Sequence, residues 1–439
     1  MSRRSGHARE RETIDAADLA AALRILARVA EDRTLLADVD AETRVALQRL
    51  AGEVARPDLR KRKRLQKALL RNERASRKAR DRALREGTGI RKLRDAPVFA
   101  TPLPRTGPDA PGGPPRLTGR AAARAEPVAP DEEPHLAEPH KCYVCKRPYH
   151  RLHRFYDQLC RGCGDENEAR RAATADLRGR TALVTGARVK IGYQAAIMLL
   201  RAGCSVVACT RFPRDAAARY AREPDFAAWK DRLSIYGVDL RHTPGVELLC
   251  RRLDAVLPRL DFQIHNACQT VRRPPGFYAH LVEAEGAPLS ALPAEARPLV
   301  RDWEDLRAEA GRGRSAAGVA TPALLSQAPS EADLVLPGRS ALELFPRGVL
   351  DQDLQQVDLR AHNSWRLALH EVPTLELLEV LLVNATAPFV FTARLKPLML
   401  RVREAPTGTA TSGDPAKHVV LVSAMEGQFY REHKTDRHP

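Results

Sequence analysis

Residues 181–203, TALVTGARVKIGYQAAIMLLRAG, decide how the second half of this chain is read. The run TALVTGA is apolar without alternation, which suits a strand buried on both faces of a parallel sheet. A turn with glycine at both ends, Gly186 and Gly192, follows. IGYQAAIMLLRAG then has helical spacing and stops at Gly203, and CSVVACTR (204–211) reads as a second strand. Strand, glycine turn, helix and strand within about thirty residues is the context that a dinucleotide-binding loop requires. The competing reading is a tight strand-to-helix turn that holds no ligand.

Further along the chain stand VDL, with Asp239 and Leu240, HNA, with Asn266 and Ala267, Asn384 in LLVNATAPF, and the strand HVVLVSA with Ser423. Together with TGARVKIG (185–192), this ordered series resembles the short-chain dehydrogenase/reductase family over roughly residues 178–439. The resemblance implies an incomplete Rossmann-type α/β fold, a doubly wound parallel sheet. It also implies an oxidoreductase that moves hydride between a nicotinamide cofactor and a carbonyl or alcohol substrate. In that family the loop reads TGxxxGxG, and this chain departs from it at Lys190. Glycine there admits close approach of the backbone to a pyrophosphate. A lysine crowds that approach but adds a cation, while Gly186 and Gly192 remain and the helix opening at Ile191 still offers free amides.

The end of the second strand selects the nucleotide. An acid there accepts ribose hydroxyls, whereas this chain has Thr210 and Arg211, then Arg214, with Arg188 in the glycine loop. Guanidinium groups fork onto a 2′-phosphate, so NADP(H) is the expected cofactor, and Asp239 with Leu240 resemble the family's adenine contacts. For catalysis the resemblance implies Ser423 polarising a carbonyl, Asn384 holding a water, Tyr430 as acid/base and Lys434 as its partner. Pro388 lacks an amide hydrogen, so the Asn384 carbonyl loses its helical donor. YREHK (430–434) matches YxxxK, but it lies only seven residues past Ser423 and lacks an apolar helical face. The expectation is therefore either an impaired enzyme or a nonenzymatic NADP(H)-binding scaffold, with an apolar strand HVVLVS left for a protein partner or a second copy to cover.

A second constellation precedes the α/β region. In CYVCKRPYHRLHRFYDQLCRGCG, Cys142 and Cys145 form one CxxC and Cys160 and Cys163 another, fourteen residues apart. Two such turns complete a tetrahedron for structural Zn²⁺, with a closed shell and no catalytic position. Gly162 and Gly164 are expected to free the backbone of the second turn. A redox CxxC is the alternative.

The remaining organisation follows composition. Residues 1–95 form a helical, basic region, with Thr13 or Asp15 capping a first helix and Leu19, Leu23, Leu26 and Val29 on one face. Residues 96–139 are a Pro/Gly/Ala-rich linker, residues 140–170 the cysteine module, and residues 178–439 the α/β domain with an insertion at about 271–370. Within the insertion, 311–340 read as disordered, Trp365 as a packing anchor, and Arg272 and Arg273 as solvated arginines, the alternative being contact with an anionic substrate or cofactor phosphate; Gln269 and Thr270 are expected on the nicotinamide side. The chain has 439 residues, with 72 Lys and Arg against 55 Asp and Glu, a net charge of +17 concentrated before residue 95. Such charge favours anionic partners, but the basic segment after Pro57 reads first as a solvated charged helix, with nucleic-acid contact as the less favoured alternative. The start has no apolar signal segment, which suggests the cytoplasm. LELLEVLLVNATAPFVFTARL, carrying Glu376 and Glu379 and broken at Pro388, reads as a buried helix with no membrane role.

Overall fold

The computed structural model describes residues 14–95, 135–172, 174–310, 317–327, 341–351, 353, 355–360, 363–364, 367–401 and 416–424. Two compact units divide the chain, residues 1–83 and 84–439. In the first unit α1 (Ala16–Glu31) opens on Asp15, whose side chain accepts from the Ala17 amide at 3.2 Å, and α2 (Ala41–Ala55) opens on Asp40, which accepts from Thr43 at 2.8 Å. Neither helix buries a residue, and Leu19, Leu23 and Leu26 are exposed, so these helices do not form a core of their own. α3 (Leu59–Glu86) begins in this unit and ends in the next.

The second unit starts with a small cysteine module. Strands β1 (His135–Lys141) and β2 (Pro148–Arg151) pair antiparallel and helix α5 (Arg161–Ala172) follows. Leu84 and the short helix α4 (Gly89–Asp95) complete it: the Gly89 and Ile90 amides donate to the carbonyls of Arg154 and Phe155, and Arg91 pairs with Asp157 at 2.5 Å. The module therefore begins earlier than composition indicates and takes in both the end of the basic region and residues 135–139. Polar strands such as HLAEPHK carry little pattern; a five-residue hydrophobic centre (Leu136, Cys142, Tyr149, Leu152 and Leu159) is what holds them. The rest of the expected linker, 96–134, lies outside the described residues.

The α/β domain is a five-stranded, all-parallel sheet of order β5-β4-β3-β6-β7. β3 (Thr181–Thr185) is buried throughout, as its unbroken apolar run requires, between β4 (Ser205–Thr210) and β6 (Phe262–His265); β5 (Leu233–Gly237) and β7 (His418–Leu421) are the edges. Helices α6 (Lys190–Arg201), α7 (Pro213–Tyr220) and α8 (Thr243–Val256) supply the crossovers. A further helix runs from Thr374 to Leu400, with a wider π turn at Leu382–Thr386, where Pro388 removes a donor and the Ala387 amide reaches back to Leu382. It buries Val390, Phe391, Leu395 and Leu398 in the sheet core but leaves Leu377, Leu378 and Phe389 exposed, so the expectation of a buried helix holds for one face.

The insertion contributes α9 (Pro275–Gly286) and α10 (Arg301–Ala310). Trp303 of α10 lies over the edge strand so closely that a Cβ at Gly237 would stand 2.6 Å from its ring, and its indole donates to the Val319 carbonyl at 3.0 Å. Part of the stretch expected to be disordered is thus ordered: 317–327 pack here, with Val319 fully buried and the Gly318 carbonyl accepting from the Asp239 amide. Trp303 is the insertion's observed anchor; Trp365 lies outside the described residues. β7 is exposed along its whole length, Val419 to Val422 included.

Candidate functional site

The chain runs β3, β4, β5 and then crosses to β6 on the other side of β3, which opens a crevice at the carboxyl ends of β3 and β6. The loop after β3 needs glycine twice. Gly186 has φ 68°, and a Cβ there would meet the Ala267 backbone at 2.8 Å; at Gly192 a Cβ would overlap the Gly186 carbonyl. Lys190 also lies in the left-handed region, at φ 56°. The position where the family keeps glycine therefore has a conformational demand that this chain meets with a strained lysine. Its ammonium is half-exposed, 3.9 Å from Asp353.

A cavity of about 360 Å³ fills the crevice. Of the residues expected around a cofactor, Gly186, Arg188, Lys190, Ile191, Thr210, Arg211, Asp239, Leu240, Asn266 and Ala267 line it. Gly192 is buried beneath the loop, supporting its closure. The wall is stitched by Asn266, which donates to the Gly186 carbonyl at 3.3 Å, and by the Ala267 amide, which donates to Thr185 at 3.1 Å. Arg188, Lys190, Arg211, Arg241, Arg272 and Arg273 line the cavity against Asp239 and Glu379, so its wall is cationic.

Those cations differ in availability. Arg188 was expected to reach a phosphate, but it is buried and bound to Asp215 at 2.7 Å, beneath the Phe212 ring. Burial opposes the charge on Asp215, yet Arg188 and Arg219 hold its carboxyl below the usual range. Arg188 thus serves the wall more than the ligand. Arg211 donates to the Tyr278 hydroxyl at 3.0 Å and lies over that ring, which itself stacks on Phe212. This clamp holds the guanidinium at the cavity wall. Asp239 is engaged as well: burial works against its charge, but a fork from Arg241, at 2.6 Å, outweighs it. Arg241 reaches on to Glu379 at 2.8 Å. Arg272 and Arg273 are not solvated as expected, since Arg272 faces Glu379 at 3.3 Å and Arg273 pairs with Asp358.

Tyr278, Arg241, Glu379 and Cys268 were not foreseen as cavity residues. Arg241 had one local signal, its place two residues past Asp239; Glu379 had none, being 138 residues from the arginine it binds.

The expected catalytic residues fall differently. Asn384 sits in the π turn and uses its amide on Gln269, accepting from its nitrogen at 2.8 Å and donating to its carbonyl at 3.1 Å. Gln269, in turn, lines the cavity and donates to Glu379. Ser423 follows β7 in an exposed position. Tyr430 and Lys434 lie outside the described residues.

Away from the crevice, the sulfurs of Cys142, Cys145, Cys160 and Cys163 lie within 4.8 Å of one another. The left-handed residue in the first turn is Lys146, φ 62°, whereas Gly162 and Gly164 open α5. Glycine is needed at 164 because a Cβ would strike the buried His153 ring. Burial opposes ionisation of Cys142, but the amides of Cys160, Cys145 and Val144 bring its pKa down to about 6, while Cys163 is pushed up to about 12, chiefly by Cys160. Four thiolates at one point would repel one another unless a cation lay among them. The donor set fits a tetrahedral thiolate-loving metal.

Residues 180–280 match the family model described as short chain dehydrogenase. This part of the α/β domain is similar to the short-chain dehydrogenase/reductase family. Over 105 residues it is 36% identical to Dehydrogenase/reductase SDR family member 13 of Bos taurus, covering 23% of this chain and 27% of that one. Over 135 residues the chain is 42% identical to Uncharacterized protein R665 of Acanthamoeba polyphaga mimivirus, 30% of this chain and 29% of that one. The similarity thus spans less than a third of either relative. A short chain dehydrogenase structure from Pseudomonas syringae aligns at 19% identity over 53% of this chain and 57% of its own, with a TM-score of 0.26.

Proposed function

We propose that the crevice binds NADP(H) and that the protein is an oxidoreductase acting on a carbonyl or alcohol. The observation that carries this reading is Arg211, clamped by Tyr278 at the rim of a cationic cavity where an NAD-type site has an acid. Amides at the start of α6 and the glycine loop receive the pyrophosphate, Lys190 adds a cation there, and Arg211 forks onto the 2′-phosphate. The bound cofactor supplies or accepts hydride. The Asn384 bonds to Gln269 fix one wall of the nicotinamide end. Ser423 orients the substrate oxygen, and Tyr430 with Lys434 manages its proton.

A second reading, a nucleotide-binding scaffold without turnover, is favoured by the commitment of the Asn384 amide to Gln269 and by the exposure of Ser423. NADPH consumption over a panel of aldehydes and ketones separates the two. Steady turnover abolished by Tyr430→Phe supports the enzyme, and nucleotide binding with no turnover supports the scaffold. We also assign structural Zn²⁺ to the four cysteines, whose thiolate donors suit it and leave no open position.

A further inference from the structure

α3 carries thirteen Lys and Arg and three Asp and Glu in its 28 residues. Their placement is more informative than their number. Arg60, Arg64, Lys67, Arg71, Arg74 and Lys78 follow one another at alternating spacings of four and three, which confines them to an arc of about 80° on the helix and a stripe about 27 Å long. All six are exposed. Among the described residues, none of the six has an ion pair or a side-chain hydrogen bond. The cations that are paired lie off the stripe: Lys61 with Glu53 at 3.7 Å and Arg77 with Glu73 at 3.3 Å. A helix that is merely solvated intersperses its charge signs, whereas from 60 to 80 the sole acid is Glu73, which is also off the stripe.

We propose that this face of α3 docks on the phosphate backbone of double-stranded DNA, without reading base sequence. Unanswered cations at regular intervals match a polyanion of regular charge spacing, and binding releases its counterions. The B-form major groove, about 12 Å wide, admits a helix, whereas the A-form groove of RNA is too narrow. Residues 1–95 contain no Phe, Tyr or Trp to stack on unpaired bases. Off the stripe α3 offers Leu59, Leu65, Leu69 and Leu70, which together with Ala68 and Ala79 spread over more than half a turn, no compact apolar face to anchor in a bilayer.

The test is fluorescence anisotropy of the full chain with a labelled random duplex of about 24 base pairs, from about 50 to 200 mM salt. The expected plot of log affinity against log salt has a slope near −5, six contacts at about 0.9 each. Changing all six residues to Gln should flatten that slope and weaken binding at least about a hundredfold at low salt, with helix content by circular dichroism unchanged. Arg64→Gln or Arg71→Gln alone should each reduce the slope by about one, while Lys61→Gln with Arg77→Gln should leave more than half of it. The proposal fails if the sixfold variant binds the duplex like the wild type. It fails equally if a single strand, an RNA duplex or phosphatidylserine vesicles bind more tightly than duplex DNA.

Discussion

At Lys190 the backbone sits where glycine is at ease and a lysine is strained. Lys190→Gly should therefore raise stability by on the order of 0.5–1 kcal/mol, the left-handed penalty less the extra freedom of the unfolded glycine. Denaturant melts check this, and a destabilised variant would show that the lysine side chain holds the loop. Glu285 is the second residue with a measurable signature. Its carboxylate accepts from the Arg214 and Asp215 amides at the start of α7, and burial pushes its pKa up to about 7 despite those bonds. Because the folded value exceeds the unfolded one, its contribution is full below about pH 4.3 and is lost as pH rises through 7. Glu285→Gln, which keeps one acceptor oxygen, should flatten the stability profile between pH 5 and 8, gaining on the wild type at the alkaline end. Parallel pH profiles would contradict the assignment. Residues such as Gly186 and Arg211 were legible because their signal is local, a turn and a strand end. The partners that fix them were not: Tyr278 and Glu285 come from an insertion helix some seventy residues on, and no local pattern marks which aromatic or acid will arrive.

Elements differ in the same way. β3, its glycine loop and α6 were readable because a doubly buried strand lacks polar alternation and a helix has a period. The strands of the cysteine module were not, since HLAEPHK has no alternation and its order depends on a shared small core. If the four cysteines hold the proposed Zn²⁺, that dependence makes the metal decisive for the module. Cys145→Ser, or chelation, should remove about one zinc per chain and expose the amides of 135–172 to hydrogen exchange, while the α/β core (Leu183, Val184, Ile197, Leu200) stays protected. Equal protection with and without metal would assign the module's stability to Leu152 and its neighbours alone. Trp303 shows why the insertion was misread: a stretch rich in Gly, Ala and Ser gives no periodic signal, yet small residues are what let Gly318 and Val319 approach Asp239 and the indole.

For the molecule as a whole, two compact units carry different charge problems. The first leaves a long run of cations exposed on α3, and the second gathers arginines around a crevice and answers most of them with carboxylates. Within that crevice Arg211 stands at the end of β4, where an NAD-type site has an acid, and donates to the Tyr278 hydroxyl; this placement is the basis of the cofactor reading. The edge strand β7 is exposed from Val419 to Val422, and Ser423 follows it in an equally exposed position. The most direct measurement is a calorimetric titration of the full chain with NADPH and with NADH, repeated on Arg211→Glu. The account predicts that NADPH binds the wild type at least about tenfold more tightly, from a charge-assisted pair of about 1.5–3 kcal/mol, and that the variant loses this preference. Equal affinity for the two nucleotides, or a preference untouched by Arg211→Glu, would contradict it.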